Sequence, residues 1–268
     1  MTDGAPPRMG ILDEMTLPEV EAFDPEIVLI PLGSTEPHGP HLPYCTDALK
    51  VQIVCEDATV LANERGVRAL CYPALPIGLN VNFGWPFALS MKVPTYIQML
   101  MDLCEQIEKT GVRRILLVNG HGGNTAALHA FQRRWAHRGV AGMPGAEDHA
   151  FACSVLRRSP RADEVVTHKS DHAGEAETLE MMSIRPEWVR MDQLKEFIHQ
   201  DPAVEILNHP RMHWVKPWHM YLPECARGET RTVTMENAKK LRALNAEWIA
   251  DVACDLCSAP WSDRYPYP

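Results

Sequence analysis

The chain has 268 residues, 46% of them hydrophobic and 23% charged, and carries a formal net charge of -9. That length and apolar content suit one domain over residues 1–268 with ample core, and the acidic balance gives no sequence-wide attraction to nucleic acid or anionic lipid. No apolar run approaches the roughly 20 residues that span a bilayer, and MTDGAPPRMG lacks the basic and apolar regions of a signal peptide, so a cytoplasmic protein without a membrane partner is expected.

After the Pro/Gly-rich start, EIVLIPLG (Glu26 to Gly33) is a short β-branched run ending in Gly, the pattern of a buried strand. A helix is predicted from Asp47 to about Arg65, with Thr46 as its cap, and a second strand follows in VRALCYPALPIG. Pro94 to about Thr110 reads as an amphipathic helix stopped by Gly111, and RRILLVNG (Arg113 to Gly120) as another strand. A helix from Asn124 to Gly139 precedes a strand in AFACSVL, and a long helix from about Met235 to Cys257 closes the order. Strands alternating with helices imply an α/β fold with a mainly parallel sheet covered on both faces. Residues 201–232 are aromatic, Pro-rich and without clean periodicity, which suits a lid, a substrate wall or an oligomer contact. The eight cysteines are scattered through a chain too long to need disulfides, so reduced thiols are expected.

Three polar clusters fall in loops. GSTEPHGPHLPYCTD (Gly33 to Asp47) places Glu36, His38, His41 and Asp47 beside three stiffening prolines; NGHGGN (Asn119 to Asn124) offers His121; SDHAGEAET offers Asp171, His172, Glu175 and Glu177. Two of these loops leave strand ends, where open parallel sheets bind ligands. Glu36, His38, Asp47 and His121 form a mixed N/O set suited to zinc, manganese or iron(II), and one bridging carboxylate can hold two such ions. The glycine loop matches neither G-x-G-x-x-G nor a P-loop, which argues against nucleotide chemistry.

At these residues the sequence resembles the creatininase (creatinine amidohydrolase) family: GSTEPHGPHLPYCTD against G-S-x-E-Q-H-G-P-H-L-P-x-x-T-D, NGHGGN unchanged, and HAGEAET against H-A-G-x-x-E-T. The resemblance implies a three-layer α/β/α subunit, commonly assembled as a hexamer, and a centre of one or two divalent metals. It assigns Glu36 and His121 to one metal, His38 to another, Asp47 to the bridge, and His172 to catalysis. Glu177 aligns with the acid of the third block, as a metal ligand or an orienting group, and Glu175 is expected to be a solvated helix acid.

The departures bear on the substrate. Creatininases proper carry Tyr-Glu after the second-block histidine, a substrate contact and a metal ligand, where this chain has Gly122 and Gly123. Their Trp-Asp pair that grips creatinine is replaced by His168 and Lys169, and their H-x-x-F-P-G-T stretch by NFGWPFAL around Trp85. Gly122, His168 and Trp85 therefore mark a substrate pocket not shaped for creatinine. The resulting expectation is a metal-dependent hydrolase of a C-N amide-type bond in a lactam, formamide or short peptide-like amide, with His172, oriented by Asp171, passing a proton to the leaving nitrogen. A lyase or isomerase on the same centre, and a silent metal-binding assembly subunit, are the alternatives.

Overall fold

The computed structural model describes residues 6–80, 84–168 and 172–268. Its sheet is built from β1 (Ile27–Leu32), β2 (Ala69–Cys71), β3 (Arg114–Asn119) and β4 (Phe151–Leu156), all parallel, in the order β2-β1-β3-β4. The central strands IVLIPL and RILLVN are buried along their whole length because both faces are covered.

Alternation along each strand sorts the core into two layers. Val28, Ile30, Ile115 and Leu117 face α3 (Val93–Glu108) and α4 (Thr125–Ala136), meeting Tyr96, Leu100, Leu128 and Phe131. Ile27, Leu29, Leu116 and Val118 face α2 (Thr46–Glu64) and α7 (Met235–Ser258), meeting Val51, Val54, Ile249 and Ala253. Each such side chain stabilises the fold by roughly 1.5–3 kcal/mol through burial. The result is the expected α/β/α sandwich. A short α1 (Leu17–Phe23) precedes β1, and α5 (Glu175–Ile184) packs on α7 in a third cluster with Leu179, Met181 and Leu241.

The predicted elements correspond closely to the observed ones, with local differences. Thr46 is not the cap of α2 but its first residue; its hydroxyl donates to Pro43 O at 2.6 Å. The second strand is only three residues, because the prolines after Tyr72 leave few N–H groups to continue a ladder. The eight cysteines are free, and no helix among the described residues is long and apolar enough to cross a membrane.

The connections set the site. From β1 the chain passes through α2 on one face to β2; from β3 it passes through α4 on the other face to β4. The strand order therefore reverses between β1 and β3, leaving a crevice beyond their carboxyl ends.

Candidate metal centre

Each polar side chain of interest is delivered to that crevice by a different element. Glu36 and His38 lie on the loop after β1, Asp47 on the first turn of α2, His121 directly after β3, and His172 and Glu177 on either side of the start of α5. Gly33 is required where the loop begins: a Cβ there would come 2.5 Å from Ala48 Cα, so only glycine lets the loop pack on the start of α2.

Asp47 stands at the middle with its two oxygens turned to opposite sides. Oδ2 is 2.9 Å from His121 Nδ1, which is 3.1 Å from Glu36 Oε1. Oδ1 is 3.3 Å from His38 Nε2, which is 3.6 Å from Glu177 Oε2. Two ligand sets thus share Asp47, namely Glu36/Asp47/His121 and His38/Asp47/Glu177, each with its donor atoms within 4.8 Å of one another; Glu36, His38 and His172 form a third such group. All but the partly buried Glu177 are buried, His38 at 0% and Asp47 at 1% exposure, far from the solvated first-turn acid that Asp47 would otherwise be.

The histidine tautomers are fixed by the backbone. Carbonyl oxygens only accept, so His38 Nδ1 donates to Glu36 O (3.0 Å), His121 Nε2 to Leu79 O (2.9 Å) and His172 Nε2 to Pro37 O (2.9 Å). In the neutral rings, His38 Nε2, His121 Nδ1 and His172 Nδ1 then present lone pairs toward carboxylates. A lone pair facing a carboxylate is repulsive unless a cation lies between them, and this arrangement is how metal-ligating histidines are oriented. Burial would lower the His121 ring, but Glu36 and Asp47 outweigh it and hold it well above the usual imidazole value. Burial would raise Asp47, but Lys50, His38 and His121 hold it well below the usual carboxylate range. Both directions express the same demand for positive charge at this point. His38 Nε2 and Asp47 Oδ2 are buried without a hydrogen-bond partner, so the donor set fits a divalent cation.

A profile of the creatininase family, described as creatinine amidohydrolase, matches residues 13–253. The chain belongs to the creatininase family. The mycofactocin precursor peptide peptidase of Mycolicibacterium smegmatis is 33% identical over 175 residues, 63% of this chain and 62% of that protein, so the match spans about three fifths of the relative's length. The 3-dehydro-scyllo-inosose hydrolase of Thermotoga maritima is 30% identical over 115 residues, 40% of this chain and 35% of that one. A Bacteroides fragilis crystal structure provisionally assigned as a creatinine amidohydrolase has a TM-score of 0.81 at 25% identity, covering 95% of this chain and 99% of its own. A manganese creatininase shares the fold at a TM-score of 0.70 and 20% identity, covering 91% of this chain and 96% of its own.

Of the residues expected from the creatininase resemblance, the structure brings Glu36, His38, Asp47, His121, His172 and Glu177 into one cluster. Asp171 lies outside the described residues, as does Lys169. Gly122 is exposed beside His121, with open space where a side chain would project. Trp85 is half-buried, its Nε1 shielded without a partner, on a loop pinned by Tyr44 Oη donating to Pro86 O at 2.9 Å. His168 is exposed, and its partners are Thr167, Glu175 and Thr232, none of them in the ligand cluster. Glu175 is a correction: it is 1% exposed and accepts bonds from the N–H groups of Thr167 and His168 and from the Thr232 hydroxyl, tying the loop before His172 to the start of α5. His41 is not a ligand. It bonds Thr178 Oγ1 at 3.0 Å, and burial together with nearby His38 pushes its ring down to about 4.

Sequence reasoning missed three neighbours. Lys50, fully buried, bonds Asp47 and Glu177; Arg157, at the end of β4, bonds Glu180; and Cys225 lies 3.6 Å from His172 Nε2. Burial, then Glu36, pushes the Cys225 thiol up to about 12, so it is a neutral donor to Pro37 O (3.2 Å), not a nucleophile. Residues 201–232 are largely irregular, but α6 (Trp218–Tyr221) sets the Trp218 ring edge-on to His172 at 4.7 Å, and His219 abuts Gly84. A cavity of about 710 Å³ lined by Trp135, His149, Phe151, Trp261 and Tyr265 lies instead along the β4 edge, away from every ligand.

Proposed function

We propose that this chain is a metal-dependent hydrolase that cleaves a C-N amide-type bond by means of an activated water. The observation that carries the reading is the set of three buried imidazoles, each tied by one nitrogen to a backbone carbonyl and aimed by the other at a shared group of carboxylates. Glu36, Asp47 and His121 would hold the ion, zinc, manganese or iron(II), with His38 and Glu177 completing the polar wall. A divalent ion held there would lower the pKa of water and polarise a carbonyl.

The chain's own groups supply the rest. Burial, then His38, lowers the His172 ring, so at neutral pH its Nδ1 is a free base. That nitrogen takes the proton from the attacking water and returns it to the leaving nitrogen; a depressed imidazolium is the stronger acid for the second transfer. Pro37 O fixes the ring, and the Trp218 ring packs edge-on against it. The role assigned to Asp171 is that of a further orienting group, and Gly122, Trp85 and His168 are proposed to border the substrate, with residues 201–232 as its wall.

Among lactams, formamides and peptide-like amides, the peptide peptidase relatives support a short peptide-type amide. A cytoplasmic homo-oligomer, hexameric as its family resemblance implies, is the proposed setting, with no nucleic-acid or membrane partner. The test is turnover of a panel of short peptides, formamides and lactams in ¹⁸O-labelled water. Hydrolysis places one labelled oxygen in the acid product; an unlabelled product would favour a lyase or isomerase, and no turnover across the panel a silent assembly subunit.

A further inference from the structure

Lys50 is a buried cation in the centre that the proposed mechanism does not use. It stands three residues after Asp47 on α2, so helical geometry places both side chains on one face. Its side chain is 0% exposed, and its ammonium lies 2.6 Å from Asp47 Oδ1 and bonds Glu177 Oε1 as well. Asp47 Oδ1 is the same oxygen that faces His38. Two of the three members of the His38/Asp47/Glu177 set are therefore already paired with a cation that belongs to the chain.

We infer that the Lys50 ammonium is the resident cation of that second ligand set, so that the centre holds a single divalent ion, on Glu36, Asp47 and His121. The inference rests on the reading of the cluster as a metal centre and fixes how many ions it takes.

Charge balance points the same way. Among the described residues the ion-paired cluster contains four carboxylates, Glu36, Asp47, Glu177 and Glu180, against two cations, Lys50 and Arg157, counting the imidazoles as neutral, as metal ligands are. The remaining two negative charges are cancelled by one divalent ion, whereas two ions would leave an excess of two positive charges in a buried site, which is costly. Nor does the neighbouring loop supply another acid, since a Cβ at Gly123 would come 2.0 Å from Leu79 O. The first set differs: among the described residues, Asp47 Oδ2 and His121 Nδ1 face each other at 2.9 Å, and neither has a lysine or arginine partner.

The test compares the wild type with Lys50→Met, a substitution of similar length without the charge. Both are stripped, reloaded with excess Mn(II), desalted, and examined by plasma mass spectrometry and by electron paramagnetic resonance. The wild type is expected to hold about one ion per chain with the six-line spectrum of isolated Mn(II), and Lys50→Met about two, with the broadened spectrum of a coupled pair. Two coupled ions in the wild type, or one isolated ion in both proteins, would overturn the inference while leaving the metal centre standing; no bound manganese in either would remove both. If Lys50→Met does not fold, the wild-type count and spectrum decide alone, with Lys50→Arg, which keeps the cation, expected to match the wild type.

Discussion

Two adjacent glycines after β3 make opposite predictions. At Gly123 a Cβ would meet Leu79 O at 2.0 Å and His121 Nε2 at 2.5 Å, so Gly123→Ala must displace both atoms of the His121–Leu79 hydrogen bond. Overpacking of this kind costs roughly 1–3 kcal/mol, and a buried hydrogen bond left unmade about as much again. The expected loss is therefore about 2–6 kcal/mol out of a total stability on the order of 5–15 kcal/mol. Since Leu79 O fixes the tautomer and direction of a proposed ligand, metal affinity should also fall roughly 10- to 100-fold. At Gly122 nothing lies within 4 Å of the added carbon, and Gly122→Ala should change stability by no more than about 0.5 kcal/mol. Urea denaturation and competition with a chromophoric chelator measure both quantities. Equal behaviour of the two variants, in stability and in affinity, would refute the role given to the His121–Leu79 contact.

His172→Ala should retain metal while kcat falls roughly 10²- to 10⁴-fold on whichever amide is turned over, and wild-type kcat would remove the residue from proton transfer. Arg157 and Glu180 form a buried pair, with Asn245 Nδ2 also donating to Glu180 Oε1 at 2.9 Å; Arg157→Leu should cost roughly 3–5 kcal/mol in urea, because it leaves Glu180 buried without its cation. Far from the centre, burial alone would raise the Glu108 carboxyl, but bonds from Arg138 (2.7 Å) and the Ala150 N–H (2.6 Å) outweigh it and hold it below its ordinary value. A depressed carboxyl contributes stability that is present above its unfolded pKa of about 4.3 and lost as pH falls through the lower folded value. The gap between wild type and Glu108→Gln should therefore be widest near neutrality and close below about pH 4.3; a gap constant from pH 3 to 7 would contradict the assignment.

Much of this was legible because the strong signals are local. The apolar runs of β1 and β3, the Pro-stiffened loop between Gly33 and Asp47, and the polar blocks that follow strand ends specify both the sandwich and the side chains gathered at its crevice. What escaped depends on distant partners. Lys50 reads as a solvated helix lysine until α5 brings Glu177 against it, and Glu175 reads as a solvated acid until the Thr167 loop and Thr232 fold over it. The stretch from 201 to 232 has no period to read, since its order comes from contacts such as Trp218 on His172 and the Phe197–Gly228 bridge. Thr46 has the residue type of a cap, but Pro43, three residues earlier, offers its hydroxyl a carbonyl instead.

Asp47 belongs to both ligand sets, so it is the residue on which the metal reading depends most. The deciding measurement is metal content per chain by plasma mass spectrometry, for the wild type and Asp47→Ala purified without chelator. The structure predicts about one zinc, manganese or iron ion in the wild type and almost none in the variant. A wild type without metal, even after incubation with zinc or manganese, would contradict it and leave a creatininase fold that works by other means.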